Sequence, residues 1–379
     1  MDKTEKLHLL NSQMSLEADS ETHLSPTCSR AKDVQIYSSP LPNGQRTRLL
    51  KTLLTSACER DCYYCPFRAG RDFRRATFQP EEFARFFMQL HQADLADGVF
   101  ISSGLAGGGV RTQEKLLDTA EILRQKLGFR GYIHLKIMPG AEKGQVLRAM
   151  QLANRVSVNL EAPNPARLAK LAPRKVFWEE LIRPLRWINE IRQEQPAEKA
   201  WQGRWASSTT QFVAGGADES DLELLTMTAR AYRDLGLART YFMAFTPIRD
   251  TPLENKAPTS ALRERRLYQA SFLLRDYGFD VEELPFTAEQ NLPLPTDPKA
   301  AWAEIHLSHA PIEVNRASSR TLLRVPGIGQ KSAEKILHAR RVHTLRDLTQ
   351  LKKLGVITKR AAPFLLLNGR KAARQARLF

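Results

Sequence analysis

Six short runs rich in β-branched and aromatic residues recur between residues 48 and 245, each followed by a stretch of helical period, and this alternation narrows the possible folds more than any other feature. The runs are RLLKTLLT (48–55), GVFISS (98–103), YIHLKIM (132–138), RVSVNLE (155–161), STTQFVA (208–214) and TYFMAF (240–245). Apolar residues recur at helical spacing over 80–92, 112–127, 141–151, 177–193, 219–235 and 262–277, the first opening on Pro80. Strands that alternate with helices pair in parallel, and nearly continuous apolar runs fit strands covered on both faces. An open doubly wound sheet and a partial barrel both satisfy this pattern.

The 379 residues allow a main domain with its own core and a smaller one beside it. Residues 1–35 are polar and aperiodic, which predicts a flexible leader. The sheet domain is expected over 36–284. Pro285, Pro293, Pro295 and Pro298 then mark a linker over 285–310, and a basic helical domain follows over 311–379. The N-terminus has no apolar run of signal-peptide length, and no stretch approaches the ~20 apolar residues that cross a bilayer. The expectation is a cytoplasmic protein without membrane contact.

Three of the four cysteines, Cys58, Cys62 and Cys65, fall inside ACERDCYYCPF (57–67). In a reducing compartment such a cluster points to metal or catalysis and away from disulfides. The spacing i, i+4, i+7 could put the thiols on one helix face, but Asp61, Tyr63, Tyr64 and Pro66 favour a loop after the first strand. Ligands bind at that end of parallel strands. Zinc would want a fourth ligand and a ferredoxin-type cluster a fourth cysteine, with Cys28 the sole remainder. Three thiolates leave one metal position open.

This Cx3CxφC spacing, with Tyr64 as the aromatic φ, resembles the signature of the radical S-adenosylmethionine superfamily. The resemblance implies a [4Fe-4S] cluster on Cys58, Cys62 and Cys65, whose open iron is chelated by S-adenosylmethionine, and reductive cleavage to a 5′-deoxyadenosyl radical. It also implies a partial (β/α)6 TIM-like barrel, which agrees with the six units above. Where the family's second strand usually carries a GGE-like loop, this chain has Ser102, Ser103 and Gly104 and no acid, so the main chain is expected to make the contact. The resemblance further places Glu161 at a ribose contact. Gln211, with Ala214 to Gly216, falls where the fifth strand meets methionine or adenine. Gly107 to Gly109 lack the Lys-Ser/Thr of a P-loop and read as a plain loop.

The net charge of +16 is concentrated at one end: residues 311–379 hold 16 Lys and Arg against 3 Asp and Glu. A cationic face displaces counterions from a phosphate backbone and is the footprint of a nucleic-acid binder. Within it, RTLLRVPGIGQKSAEKILHAR (320–340) places a PGIG turn between two helical stretches and resembles the helix-hairpin-helix motif of DNA repair and replication proteins. Its glycines let helix-start amides approach a phosphate closely. Gly327, Ile328, Gly329, Lys331, Ser332 and Lys335 are the expected DNA-binding residues, and LTQLKKLGVITKRAAPFLL is a weaker second copy, with LGV at the turn.

Fold class is thus α/β, a partial barrel with a small all-α helix-hairpin-helix domain. Over most of its length the chain resembles a family described only as DNA modification or repair radical S-adenosylmethionine proteins. The expected function is radical repair or modification of DNA docked by the hairpins, with a reducing donor such as flavodoxin or ferredoxin. An RNA-modifying radical enzyme and a non-catalytic iron-sulfur nucleic-acid-binding protein are the alternatives. His306 and His309 read as exposed loop histidines, Trp178, Trp187 and Trp302 as packing residues, and Cys28 as an idle thiol.

Overall fold

The computed structural model describes residues 1–12, 14, 29–31, 34–40 and 46–371. The chain forms two compact units, Met1–Glu219 with Arg230–Ser260, and Ser220–Ala229 with Ala261–Phe379.

The first unit is built on an eight-stranded sheet: β1 (Ser29–Ala31), β2 (Val34–Pro40), β3 (Arg46–Leu53), β4 (Gly98–Ser102), β5 (Tyr132–Lys136), β6 (Arg155–Ser157), β7 (Ser207–Ala214) and β8 (Arg239–Ala244). Spatial order equals chain order, with β1 to β3 antiparallel and β3 to β8 parallel. A doubly wound sheet would reverse its strand order at a switch point. Here every crossover returns to the next strand, which is how a barrel is wound. Among the described residues β1 and β8 form the two edges and do not pair with each other, so the barrel is partial.

Helices α2 (Pro80–Gln92), α3 (Gly109–Glu121), α4 (Lys143–Leu152), α5 (Pro165–Leu171) and α6 (Arg183–Glu194) belong to the crossovers, and α7 (Asp221–Asp234) joins the last two barrel strands. The α2 start shows why: Pro80 stands in the first turn, and Gln79 and Glu82 close a capping box. One face of the strands carries Val99, Ile101, Ile133, Leu135 and Val156, all fully buried. The register places Lys51, Phe100, His134 and Arg155 together on the other, inner face.

Part of the expected leader is ordered. Residues Lys3–Ser12 form α1, since Leu7, Leu10 and Met14 make a buried stripe at helical spacing. Asn11 donates to the Gln35 and Lys51 carbonyls at 3.0 and 2.7 Å and accepts from the Gln35 amide. The polar composition of 1–35 masks that stripe because α1 is weakly amphipathic. Cys28 lies outside the described residues.

The second unit holds α8 (Ala261–Asp276), α9 (Pro298–His306), α10 (Ser319–Leu323), α11 (Gln330–Val342), α12 (Leu348–Lys353) and α13 (Thr358–Ala361). The stretch expected as a linker therefore contains a helix. Asp297 caps α9 by accepting from the Ala300 amide, Pro298 opens it, and Ala303 and Leu307 join the terminal core. The terminal domain is not all-α either, because β9 (Ile312–Glu313), β10 (Leu365–Leu367) and β11 (Arg370–Lys371) form a three-stranded sheet that ties its ends together. His306 sits on α9 against Trp302, not in a loop, and Trp178 is 53% exposed.

Candidate cofactor cavity and hairpin face

The β3 strand stops at Leu53, and the chain then crosses the carboxyl ends of its neighbours. The Leu54 amide donates to the Ser102 carbonyl, the Gly104 amide to Thr55, and the Glu59 amide to Leu105. Gly104 has no room for a side chain: a Cβ there would lie 2.2 Å from the Ala57 carbonyl oxygen. Arg75, which belongs to no sequence motif, organises the loop. Its guanidinium donates to the carbonyls of Ser56, Phe67, Arg68 and Arg71 and stacks on Phe73.

Cys58, Cys62 and Cys65 line one cavity, together with Tyr64, Ser102, Ser103, Gly104, Glu161 and Gln211. Nine expected positions from four separate stretches of sequence thus meet at one place. Burial pushes the Cys62 and Cys65 thiols up, and the nearby Lys175 ammonium works the other way. Among the described residues no group of three or more His, Cys, Asp or Glu side chains is drawn together around a single point, and the three thiols stand along the wall of the cavity.

Glu161 stands at φ 63°, an uncommon conformation for a side-chain-bearing residue that is found disproportionately at functional sites. Its amide donates to the Gln211 carbonyl at 2.9 Å and its carbonyl accepts from Val213 at 2.8 Å, so β7 holds the strained backbone from both sides. Lys175 Nζ lies 2.8 Å from Glu161 Oε1, and both groups are buried. Burial opposes the charge on each, but their pairing wins: Glu161 is held below the ordinary carboxylate range and Lys175 above the ordinary lysine range. Glu161 Oε2 is buried without a hydrogen-bond partner, an acceptor that suits a ligand hydroxyl. Lys175 and Lys136 also line the cavity and had no signal in the sequence, because they become neighbours only through the strand register and the α5 loop.

Other expected contacts are committed internally. Glu219 accepts from the Gly215 and Ala217 amides, and Glu59 accepts from those of Gly107 and Gly108; the triple glycine, expected as a plain loop, leads into a helix, with Gly108 at its N-cap and Gly109 its first residue.

In the second unit two hairpins, α10 with α11 and α12 with α13, lean on each other at their turns. Ile357 donates its amide to the Gly327 carbonyl, and Ser332 Oγ donates to that of Gly355, both at 2.9 Å. Gly327 (φ 86°) and Gly355 (φ 88°) occupy the left-handed region in equivalent places. Gly329 caps α11, Ile328 is in the core, and Lys331 and Lys335 are exposed. Of the six expected contact residues, Gly327, Gly329 and Ser332 can therefore offer only main-chain groups, and the Ile328 amide is already bonded to the Val325 carbonyl. A cavity of about 510 Å³ lies beside the two turns, walled by Tyr277, Lys299 and Arg360 among others. Lys299 donates to the Ile328 carbonyl at 2.6 Å.

Residues 52–205 match the model of the Radical SAM superfamily, and residues 308–365 match that of the helix-hairpin-helix motif. No curated protein matches the chain. Among solved structures, methylornithine synthase (PylB) is similar at 17% identity and TM-score 0.46, over 60% of this chain and 62% of that one. The FeFe-hydrogenase maturase HydG from Carboxydothermus hydrogenoformans is similar at 14% identity and TM-score 0.46, over 60% and 51%. The radical S-adenosylmethionine methyltransferase TsrM from Kitasatospora setae is similar at 12% identity and TM-score 0.40, over 55% and 36%. The chain thus spans at most about three fifths of the length of these proteins.

Proposed function

The chain carries a radical SAM domain and a helix-hairpin-helix motif, and from that premise we propose that it is a radical enzyme acting on nucleic acid, with DNA as the substrate. The cofactors of the family are a [4Fe-4S] cluster and S-adenosylmethionine. When bound, the pair supplies reductive cleavage of the sulfonium to methionine and a 5′-deoxyadenosyl radical that can take a hydrogen atom from substrate.

The protein's part is placement. Cys58, Cys62 and Cys65 would hold the cluster, and the loop clamped by Arg75 keeps them at the strand ends. The main chain of Ser102 to Gly104 and the free Oε2 of Glu161 would orient S-adenosylmethionine, with Gln211 on the far wall. Tyr64 would close the side of the cavity. A reducing protein such as flavodoxin or ferredoxin would deliver the electron.

The single observation that carries this reading is the convergence of three thiols and six further expected residues on one cavity at the carboxyl ends of parallel strands. The nucleic-acid half rests on the paired hairpin turns and the exposed Lys331 and Lys335, which suit a phosphate backbone without reading sequence. A base inside a duplex would have to be flipped out to reach the barrel.

The test uses anaerobically reconstituted, reduced protein with damaged duplex DNA, single-stranded DNA or tRNA. Stimulation of 5′-deoxyadenosine formation by a DNA is expected; stimulation by tRNA alone would move the substrate to RNA.

A further inference from the structure

The cavity of about 510 Å³ lies within the second unit, between the end of α8, the start of α9 and both hairpin turns. Gly327 and Gly355, the two left-handed turn glycines, are among its walls. Pockets that bury most of a small organic ligand run from roughly 300 to 1,000 Å³, so there is space here for one nucleoside.

The charged walls are two carboxylates, Asp276 and Asp297, and two cations, Lys299 and Arg360, so neither sign is in excess. Each has a partner already: Arg360 donates to Asp297, Arg275 lies 2.7 Å from Asp276, and Lys299 donates to the Ile328 carbonyl at 2.6 Å. Burial, and then Arg360, lower the Lys299 pKa to about 7, so the cavity favours uncharged groups. A phosphate inside it would have to break these contacts; a flat, neutral ring would not.

The remaining walls suit such a ring. Phe272 and Tyr277 bring aromatic surface, and every base has a π-face that packs on it. Gln269 Oε1 accepts from Arg266 at 2.8 Å and Gln330 Nε2 donates to the Asp276 carbonyl at 2.7 Å. That leaves Gln269 Nε2 as a donor and Gln330 Oε1 as an acceptor, the two functions that the edge of a base calls for. Gly329 keeps the space open beside the turn. Its φ of −101° is one any residue adopts, and a Cβ there would meet Tyr277 Oη at an ordinary 3.6 Å. Serine, asparagine or aspartate would cap α11 better than glycine does.

We propose that this cavity holds the base of an unpaired nucleotide in a DNA whose neighbouring phosphates lie on the hairpin turns. This rests on the reading of the hairpins as a nucleic-acid site, and it names the substrate class of that site. Phosphate contacts alone read neither sequence nor pairing. A base cavity beside them makes the unit prefer DNA in which a base is already extrahelical, because no pair or stack has to be broken to fill it.

The test measures binding of the full-length, reconstituted protein to three duplexes of one sequence: intact, with a one-nucleotide bulge, and with the same bulge lacking its base. The two bulged duplexes carry equal numbers of phosphates. The bulge with a base should bind about tenfold tighter than either of the others, the worth of one base stacked on an aromatic ring. Tyr277→Ala should erase that ratio and Tyr277→Phe should keep it. In the wild type, a 5-iodouracil placed at the bulge should photocrosslink to Tyr277 or Phe272, a readout that needs no variant to fold.

Equal binding of the two bulges, an unchanged ratio in folded Tyr277→Ala, or crosslinks that map elsewhere would overturn the proposal while binding to intact duplex persists. Absence of binding to every DNA would instead overturn the reading of the hairpins, and this inference with it.

Discussion

Lys175 and Glu161 form the buried charge pair beside the cysteines, and neither is tolerable alone. Lys175→Met leaves a carboxylate buried without its cation and is expected to destabilise the protein by about 3–5 kcal/mol. The double variant Lys175→Met, Glu161→Gln should recover much of that loss in chemical denaturation. Lys299 behaves differently, because burial together with Arg360 lowers its pKa to about 7. At pH 6 the folded unit holds a buried ammonium at a cost. As the pH climbs through 7 the folded amine becomes neutral, while the unfolded chain stays protonated until about 10.4. Stability should therefore rise with pH across that window, and Lys299→Met should flatten the rise and be more stable than the wild type at pH 6 by up to a few kcal/mol. At this scale the sequence was legible where residues that belong together are close in the chain, as for Cys58, Cys62 and Cys65, which line one cavity. It was silent on Lys175, Arg75 and Lys299, whose roles come from contacts between segments distant in sequence.

Among elements, the strand and helix periods announced all six parallel strands of the first unit, since these strands are rich in buried apolar residues and their crossovers are amphipathic. They did not announce α1, whose buried stripe is diluted by polar neighbours, nor α9, hidden among prolines that here start a helix instead of breaking one. The short β9 to β11 sheet is set by the meeting of chain ends, which no local pattern encodes. The hairpin turn allows a sharper prediction. Gly327 is left-handed, and a Cβ there would sit 2.5 Å from the Ile357 carbonyl oxygen. Gly327→Ala should cost at least about 1–2 kcal/mol in unfolding of the terminal unit. It should weaken nucleic-acid binding while iron and sulfide incorporation stay at wild-type levels.

In the whole molecule, the proposed function divides labour between a barrel that would perform the chemistry and a basic unit that would hold the substrate's backbone. Lys331→Ala, Lys335→Ala should weaken binding to DNAs of all sequences alike. It should also reduce the slope of log K against log salt by about 1 for each phosphate the lysines no longer neutralise. Basal cleavage of S-adenosylmethionine without DNA should be unchanged. The charge distribution along the chain is enough to set the terminal unit apart, because most of the net charge of +16 lies after residue 310. The inner-face row of Lys51, Phe100, His134 and Arg155 is not legible in that way, since these residues are scattered along the chain until the register assembles them.

The assignment of the three cysteines to a radical-generating cluster is tested by 5′-deoxyadenosine and methionine release from the anaerobically reconstituted, reduced protein, compared with Cys62→Ala purified in parallel. Stoichiometric release of both products by the wild type and none by the variant is expected, with DNA binding equal in the two. Release by Cys62→Ala, or none by a wild type loaded with four irons and four sulfides, would contradict the assignment.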